Sequence, residues 1–222
     1  MKSTIKNTLF SLAMLLTTLS LPALAQQTPA NFEAEIAALE AQASTAPANG
    51  ILFVGSSSIR LWNDLKEAFP DKPIIQNGFG GSTLGDAIRY IPRLVLPFKP
   101  KQVVLYAGDN DIGQNNRTAR DVYSQFLTFF ALVRKQLPNA TITYIAVKPS
   151  PSRKQFMPVA AEANRMIKQY LSGQRNTSFA DVYTPMLGTN GQPRPELFTA
   201  DSLHMNPQGY EVWKDVIAPV LK

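Results

Sequence analysis

The chain has 222 residues, with 22 Lys or Arg, 16 Asp or Glu, one His and no Cys, for a formal net charge of +6. The lack of Cys excludes disulfides, thiolate nucleophiles and Cys-based metal sites, and the single His excludes a site built from several imidazoles. A hydrophobic content of 45% and a charged content of 17% are typical of a folded globular protein. Any nucleophile–imidazole pair must therefore use His204.

The first 25 residues have the three-part pattern of a secretory signal peptide. Lys2 and Lys6 form a basic start, residues 9–21 are apolar, and small residues flank Leu24 before an expected cleavage after Ala25. The apolar run is shorter than the ~20 residues that a membrane span needs. We expect signal removal, export to the periplasm or the medium, and no stable membrane insertion afterwards.

Apolar runs that predict strands alternate with segments of helical periodicity in the rest of the chain. An N-terminal helix and link are predicted over residues 26–50, followed by one domain over residues 51–222. Strands are predicted at 51–54, 73–76, 102–106, 141–147 and 178–182. Helices are predicted at 31–42, 61–69, 83–96, 118–136, 155–171 and 206–221. This alternation predicts an α/β fold, a flavodoxin-like, doubly wound, five-stranded parallel sheet in three α/β/α layers.

In such a sheet, ligands bind outside the carboxyl ends of the strands. The segments that follow those ends should therefore converge at one edge: residues 55–58, 78–82, 108–113, 148–154 and 183–206.

The first of these segments contains three serines, Ser56, Ser57 and Ser58, directly after Gly55. A hydroxyl held where a strand meets a helix can act as a nucleophile when a base takes its proton. Its own N–H, at the start of a helix, can stabilise a developing oxyanion. Serine is also a favoured helix N-cap, so the segment alone leaves both interpretations open.

Two further segments offer hydrogen-bond donors. Gly80 and Gly81 can bring a backbone N–H close to a ligand or simply form a tight turn. Asn110 offers a neutral side-chain amide that is suited to an oxyanion. Its neighbours Asp109 and Asp111 alternatively indicate an Asx-rich turn or a carboxylate metal site.

The last segment contains the chain's one imidazole, three residues after an acid. Asp201 can accept from one ring nitrogen of His204 and fix the tautomer, which leaves the other nitrogen free to take a proton from serine.

The order and placement of these four segments resemble the SGNH/GDSL hydrolase family. That family has Ser, Gly, Asn and Asp-x-x-His blocks in this order on a flavodoxin-like fold. The resemblance covers the chain from about Ile51 to its end. The start of the motif, Gly-Ser-Ser-Ser-Ile-Arg-Leu-Trp, is most similar to the acetylhydrolase-like and carbohydrate-esterase-like branches.

The resemblance implies a role for each matched residue. Ser57 matches the nucleophile, His204 the base and Asp201 the acid that orients the base. The N–H groups of Ser57 and Gly81 and the side-chain amide of Asn110 match the oxyanion hole. Ser56 stands where many members have Asp, which leaves Ser56 and Ser58 as alternative nucleophiles.

The implied function is that of an exported serine esterase that hydrolyses small acyl esters, acetyl esters first, of carbohydrate or lipid through an acyl-enzyme. No cofactor, metal or nucleic-acid partner is expected, and the oligomeric state is left open. The alternatives are an acyltransferase and a non-catalytic glycan-binding module. Lys148, Arg153 and Lys154 could attract an acidic substrate, but a solvated loop is the favoured interpretation.

Overall fold

The computed structural model describes residues 31–222, so the predicted signal peptide lies outside the described residues. Phe32–Lys222 form one compact unit. Its centre is a sheet of five parallel strands in the order β2-β1-β3-β4-β5. The strands are β1 (Ile51–Gly55), β2 (Ile74–Gly78), β3 (Gln102–Tyr106), β4 (Thr141–Ile145) and β5 (Thr177–Ala180). The flavodoxin-like α/β fold predicted from the sequence is confirmed.

The described α-helices lie between and around these strands. They are α1 (Glu33–Ala41), α2 (Ser57–Arg60), α3 (Leu65–Ala68), α4 (Leu84–Arg89), α5 (Ile91–Leu94), α6 (Asp109–Gly113), α7 (Ala119–Gln136), α8 (Met157–Ser172) and α9 (Pro207–Ile217). Within residues 31–222, no helix is both long and apolar enough to cross a membrane.

Alternation of side chains along the strands divides the core into two layers. In β1, Leu52 and Val54 face one side of the sheet, and Ile51 and Phe53 face the other. Helices α1, α4, α5, α7 and α8 cover the first side, and α2, α3 and α9 cover the second. Both faces of the sheet are therefore buried, which explains why the strand sequences are nearly continuous apolar runs.

The strand order places a topological switch point between β1 and β3. The chain leaves β1 to form β2 on one side and then returns to form β3 on the other side of β1. The connections diverge at this point and open a crevice at the carboxyl ends of the two strands, where ligands of doubly wound sheets bind.

The single helix predicted through residues 61–69 is wrong, because α2 ends at Arg60, before this segment, and only Leu65–Ala68 within it form an α-helix, α3. The side-chain amide of Gln76, in β2, donates to the carbonyls of Ile59 and Trp62 at 2.7 and 2.9 Å. The same two carbonyls also accept the N–H groups of Trp62 and Leu65, three residues further along, at 3.2 Å each. Tight turns and the amide of Gln76 thus take the place of the bonds of a continuous helix. Trp62 itself is fully buried between these two helices.

Candidate active site

The serine segment is held by a close approach of two strands. Gly55 ends β1 with φ +137°, and a Cβ there would collide with the carbonyl of Tyr106 in β3. Only glycine fits this turn without strain. Ser56 then takes the N-cap position without a side-chain capping bond, and Ser57 begins α2 at the edge of the sheet.

The structure brings the side chain of Ser57 to those of Asp201 and His204, which are far from it in sequence. The Oγ of Ser57 lies 3.0 Å from Nε2 of His204. On the other side of the ring, Nδ1 lies 2.6 Å from an Oδ of Asp201. A carboxylate can only accept, so the proton belongs on Nδ1, and Nε2 is left to accept from the serine hydroxyl.

Asp201 is fixed by donors on both of its oxygens. Besides the ring, Oδ1 accepts from the hydroxyl of Thr199 at 2.8 Å and from the N–H groups of Leu203 and His204 at 2.9 Å each. Burial would raise the pKa of Asp201, but these hydrogen bonds outweigh it and hold the pKa well below its ordinary value. The carboxylate therefore stays ionised throughout the neutral range.

Two backbone N–H groups lie in the segments that follow β1 and β2, at the same edge of the sheet. Within residues 31–222, neither the N–H of Ser57 nor that of Gly81 donates a hydrogen bond. Gly81 has φ +71°, a conformation that favours glycine, whereas the N–H of the preceding Gly80 is taken by Glu35. These two unengaged N–H groups can serve as oxyanion donors.

Asn110 lies in the same crevice, but its amide has partners of its own. Its Nδ2 donates to the hydroxyl of Ser56 at 2.9 Å and to the carbonyl of Ser82 at 3.0 Å. The residue is buried at the start of α6, directly after β3. Acting as an oxyanion donor would require it to exchange one of these bonds, and the hydroxyl of Ser56 is the partner that can rotate away.

The three serines have different surroundings. Ser56 and Ser58 are each only 3% exposed, and the hydroxyl of Ser56 is bonded to Asn110. Ser57 is partly exposed, and its hydroxyl is the one of the three that contacts the imidazole of His204. The geometry favours Ser57 as the nucleophile.

The carboxylates beside Asn110 are committed to contacts that do not fit a metal site. Asp109 pairs with Lys148 and Arg153. Asp111 accepts the N–H of Leu84 at the start of α4, and burial raises its pKa to about 6. Within the described chain, no group of three His, Asp or Glu is placed to bind a metal.

The solvated loop predicted over residues 148–154 is wrong for two of its three cations. Lys148 is 3% exposed, and its ammonium lies 2.8 Å from Asp109. The guanidinium of Arg153 is also largely buried, 2.6 Å from the same carboxylate. Lys154 is exposed, as expected for a solvated side chain. Lys148 and Arg153 are therefore not available to bind an acidic substrate.

The chain matches a known protein family over most of its length. Residues 49–212 match the model of the GDSL-like lipase/acylhydrolase family. The chain belongs to this family. The SGNH/GDSL resemblance and the prediction of a hydrolase of this type are confirmed at the family level.

Individual relatives of this GDSL-like chain are distant. It is 26% identical over 150 residues to platelet-activating factor acetylhydrolase IB subunit alpha2 of Gallus gallus, covering 64% of this chain and 62% of that protein. It is 29% identical over 119 residues to a GDSL lipase of Mycobacterium tuberculosis, covering 54% of this chain and 49% of that protein. The match thus spans about half to three-fifths of the length of these curated relatives.

A solved structure shows the same fold. It is a catalytic mutant of the acetylxylan esterase Axe2 from Geobacillus stearothermophilus, with a TM-score of 0.63 and 14% identity over 79% of this chain and 95% of that chain.

Sequence reasoning missed the roles of four residues that support the candidate site of this GDSL-like chain. Thr199 bonds Asp201, Glu35 holds the loop before Gly81, and Arg153 and Gln114 bond the carbonyl of Asn110. Glu35 lies outside the matched segment and carried no local signal. Arg153 follows one predicted strand and Asp109 follows the neighbouring one. This placement of opposite charges was the signal in the sequence that could have predicted their pairing and the burial of Arg153.

Proposed function

We propose that the protein is an exported serine esterase that hydrolyses small acyl esters, with acetyl esters of neutral carbohydrates as the first substrate class. The observation that carries this proposal is the chain of contacts from Ser57 through His204 to Asp201, at 3.0 and 2.6 Å. A hydroxyl, an imidazole and an ionised carboxylate in this order form the arrangement that activates serine for acyl transfer.

In the first step, Oγ of Ser57 attacks the carbonyl carbon of the ester, and its proton passes to Nε2 of His204. The carbonyl electron pair moves onto oxygen, where the N–H groups of Ser57 and Gly81 stabilise the oxyanion. The amide of Asn110 joins them by releasing the hydroxyl of Ser56. Loss of one such donor slows turnover by about a hundredfold or more.

The intermediate then collapses by breaking the bond to the alcohol, which takes the proton from His204. The acyl group is left as an ester on Ser57. A water molecule attacks this ester while His204 again takes a proton and returns it to the departing Oγ of Ser57. A carboxylic acid is released and the enzyme is restored.

A groove of about 730 Å³ lies beside His204 and could hold the alcohol part of the ester. Its lining favours an alcohol without negative charge. Leu61 and Tyr210 give it apolar walls, and Asp64 and Glu67 make it acidic. Negative charge on this wall disfavours anionic substrates. Lys148 and Arg153 do not contact a substrate in this groove, because their side chains are buried against Asp109. The acetylxylan esterase and acetylhydrolase among the similar proteins also support an acetyl ester.

A substrate panel tests this proposal. Acetylated xylo-oligosaccharides, acetylated uronic-acid oligosaccharides, p-nitrophenyl esters of two to eight carbons and lysophospholipids are each incubated with wild type and with Ser57→Ala. We expect the highest kcat/KM with neutral acetylated saccharides, and no activity for the variant. Product analysis with an acceptor glycan separates hydrolysis from acyl transfer. Saccharide binding with no turnover of any ester would contradict the proposal and favour a glycan-binding module.

Export belongs to the same proposal and is tested separately. The full-length gene is expressed in a Gram-negative host, and the protein from the periplasmic fraction is sequenced from its N-terminus. We expect the mature chain to begin at Gln26, after the small residues that precede the cleavage site. Recovery of the chain from the cytoplasm with its first 25 residues intact would contradict export.

A further inference from the structure

A buried cluster of charges lies directly behind the candidate oxyanion site. The carboxylate of Asp109 is held between the ammonium of Lys148 at 2.8 Å and the guanidinium of Arg153 at 2.6 Å. Their side chains are 11%, 1% and 12% exposed, respectively. Burial would raise the pKa of Asp109, but the two neighbouring cations outweigh it, and the pKa lies below its ordinary value.

Arg153 also reaches the candidate oxyanion donor. Its second terminal nitrogen donates to Oδ1 of Asn110 at 2.9 Å, and Gln114 donates to the same oxygen at 3.0 Å. The other end of the amide, Nδ2, donates to Ser56 and Ser82. A single guanidinium thus connects the buried acid with the amide that faces the serine segment.

These contacts fix which way the amide points. A guanidinium has only donors, so the atom that faces Arg153 must be the oxygen of Asn110. The carbonyl of Ser82 has only acceptor capacity, so the atom that faces it must be the nitrogen. Arg153 adds a charge-assisted bond to the orientation that the carbonyl of Ser82 also requires. Together they disfavour rotation of the amide by half a turn, which would point its N–H groups away from the site.

The cluster also carries excess positive charge. Lys148 and Arg153 contribute two cations against the one carboxylate of Asp109, in surroundings that water screens little. A cation bonded to an amide oxygen polarises the amide and strengthens its N–H groups as donors. Negative charge that develops on the opposite side of Asn110 is therefore favoured.

We propose that Arg153 is a positioning residue for catalysis, which orients and polarises the amide of Asn110 and, with Lys148, places positive charge behind the oxyanion. This proposal rests on the proposed esterase function. Gln114 has a weaker positioning role, because its uncharged amide donates to the same oxygen of Asn110.

A double-mutant cycle tests the proposal. Arg153→Met should lower kcat for p-nitrophenyl acetate by about ten- to a hundredfold with little change in KM, because the interaction matters most in the transition state. In an Asn110→Ala background the same substitution should cause less than about a threefold further loss, because its effect passes through Asn110. Arg120→Met, at an exposed arginine on α7, is the matched control and should behave as wild type.

Two outcomes would overturn the proposal. The first is wild-type turnover by Arg153→Met. The second is an equal loss of kcat in both backgrounds, which would show that Arg153 does not act through the amide of Asn110. If Arg153→Met does not fold, Gln114→Ala replaces it, because that side chain is on the surface, and its expected loss is about threefold in the presence of Asn110 and none in its absence.

A measurement that does not depend on turnover separates failure of this proposal from failure of the esterase function. The NMR signals of the Asn110 side-chain amide are assigned by their absence in Asn110→Ala. They should shift in Arg153→Met and stay in place in Arg120→Met. If wild type hydrolyses no ester, the proposed function fails. Unchanged amide signals in Arg153→Met would overturn the positioning role in either case.

Discussion

The carboxylate of Glu35 accepts the backbone N–H of Gly80, with its two oxygens at 3.3 and 3.2 Å from the nitrogen. Phe32 packs edge-on against Phe79 in the same loop, with ring centroids 5.2 Å apart. Helix α1 lies outside the family-matched residues 49–212, yet it holds the loop that presents the N–H of Gly81.

Removing this contact should loosen the loop. We expect Glu35→Ala to lower kcat by about threefold, since the hydrogen bond from Gly80 to this partly exposed carboxylate is lost and the position of Gly81 becomes less defined. Glu35→Gln keeps an acceptor and should retain most of the activity. Steady-state kinetics with p-nitrophenyl acetate measure both. Glu162→Gln, on the exposed face of α8, is the control, and full activity in Glu35→Ala would show that α1 has no part in the site.

Asp201→Asn tests whether the carboxylate of Asp201 sets the tautomer of His204. Asp201→Asn preserves the size of the side chain, but an amide that donates to the ring favours the wrong tautomer of His204. We expect kcat to fall on the order of 10³- to 10⁴-fold. The midpoint of thermal unfolding should fall only modestly, because the amide oxygen of Asn can still accept from Thr199 and from the N–H groups of Leu203 and His204. A loss of less than tenfold would mean that the contact of 2.6 Å does not orient the base.

Asp111 should make stability depend on pH. Burial raises its pKa in the folded state to about 6, above that of an unfolded chain. Its contribution to stability is therefore complete below about pH 4 and is lost as the pH rises through about 6. The difference in free energy of unfolding between Asp111→Asn and wild type should grow by roughly 2–3 kcal/mol from pH 4 to pH 8 in favour of the variant.

Urea denaturation at several pH values measures this difference. Asp71→Asn, an exposed substitution of the same type, should give a curve parallel to that of wild type. Parallel curves for Asp111→Asn and wild type would show that the buried carboxylate does not titrate in this range.

The sheet and the candidate triad were accessible from the sequence because both depend on short patterns. Buried parallel strands are continuous apolar runs, and each of the five predicted runs overlaps a strand of the structure. Parallel strands bring the segments after them to one edge, so Ser57 and His204 could be expected as neighbours despite their separation in sequence.

The features that the sequence did not predict, the break in the helix and the burial of Lys148, depend on contacts between distant segments. The apolar spacing from Leu61 to Phe69 indicates one helix, and the amide of Gln76 that bonds two carbonyls where the helix is broken comes from β2. In the same way, exposure is the ordinary expectation for Lys148, and only its pairing with Asp109 makes its burial stable. Local composition contains neither pairing.

The central claim is that the hydroxyl of Ser57 is the nucleophile, and covalent labelling tests it most directly. Wild type, Ser57→Ala and Ser58→Ala are treated with a fluorophosphonate, and the labelled peptide is identified by mass spectrometry. We predict that wild type and Ser58→Ala each carry one label, on Ser57, and that Ser57→Ala carries none. Full labelling of Ser57→Ala, or a label on Ser56 or Ser58 in the wild type, would contradict the account.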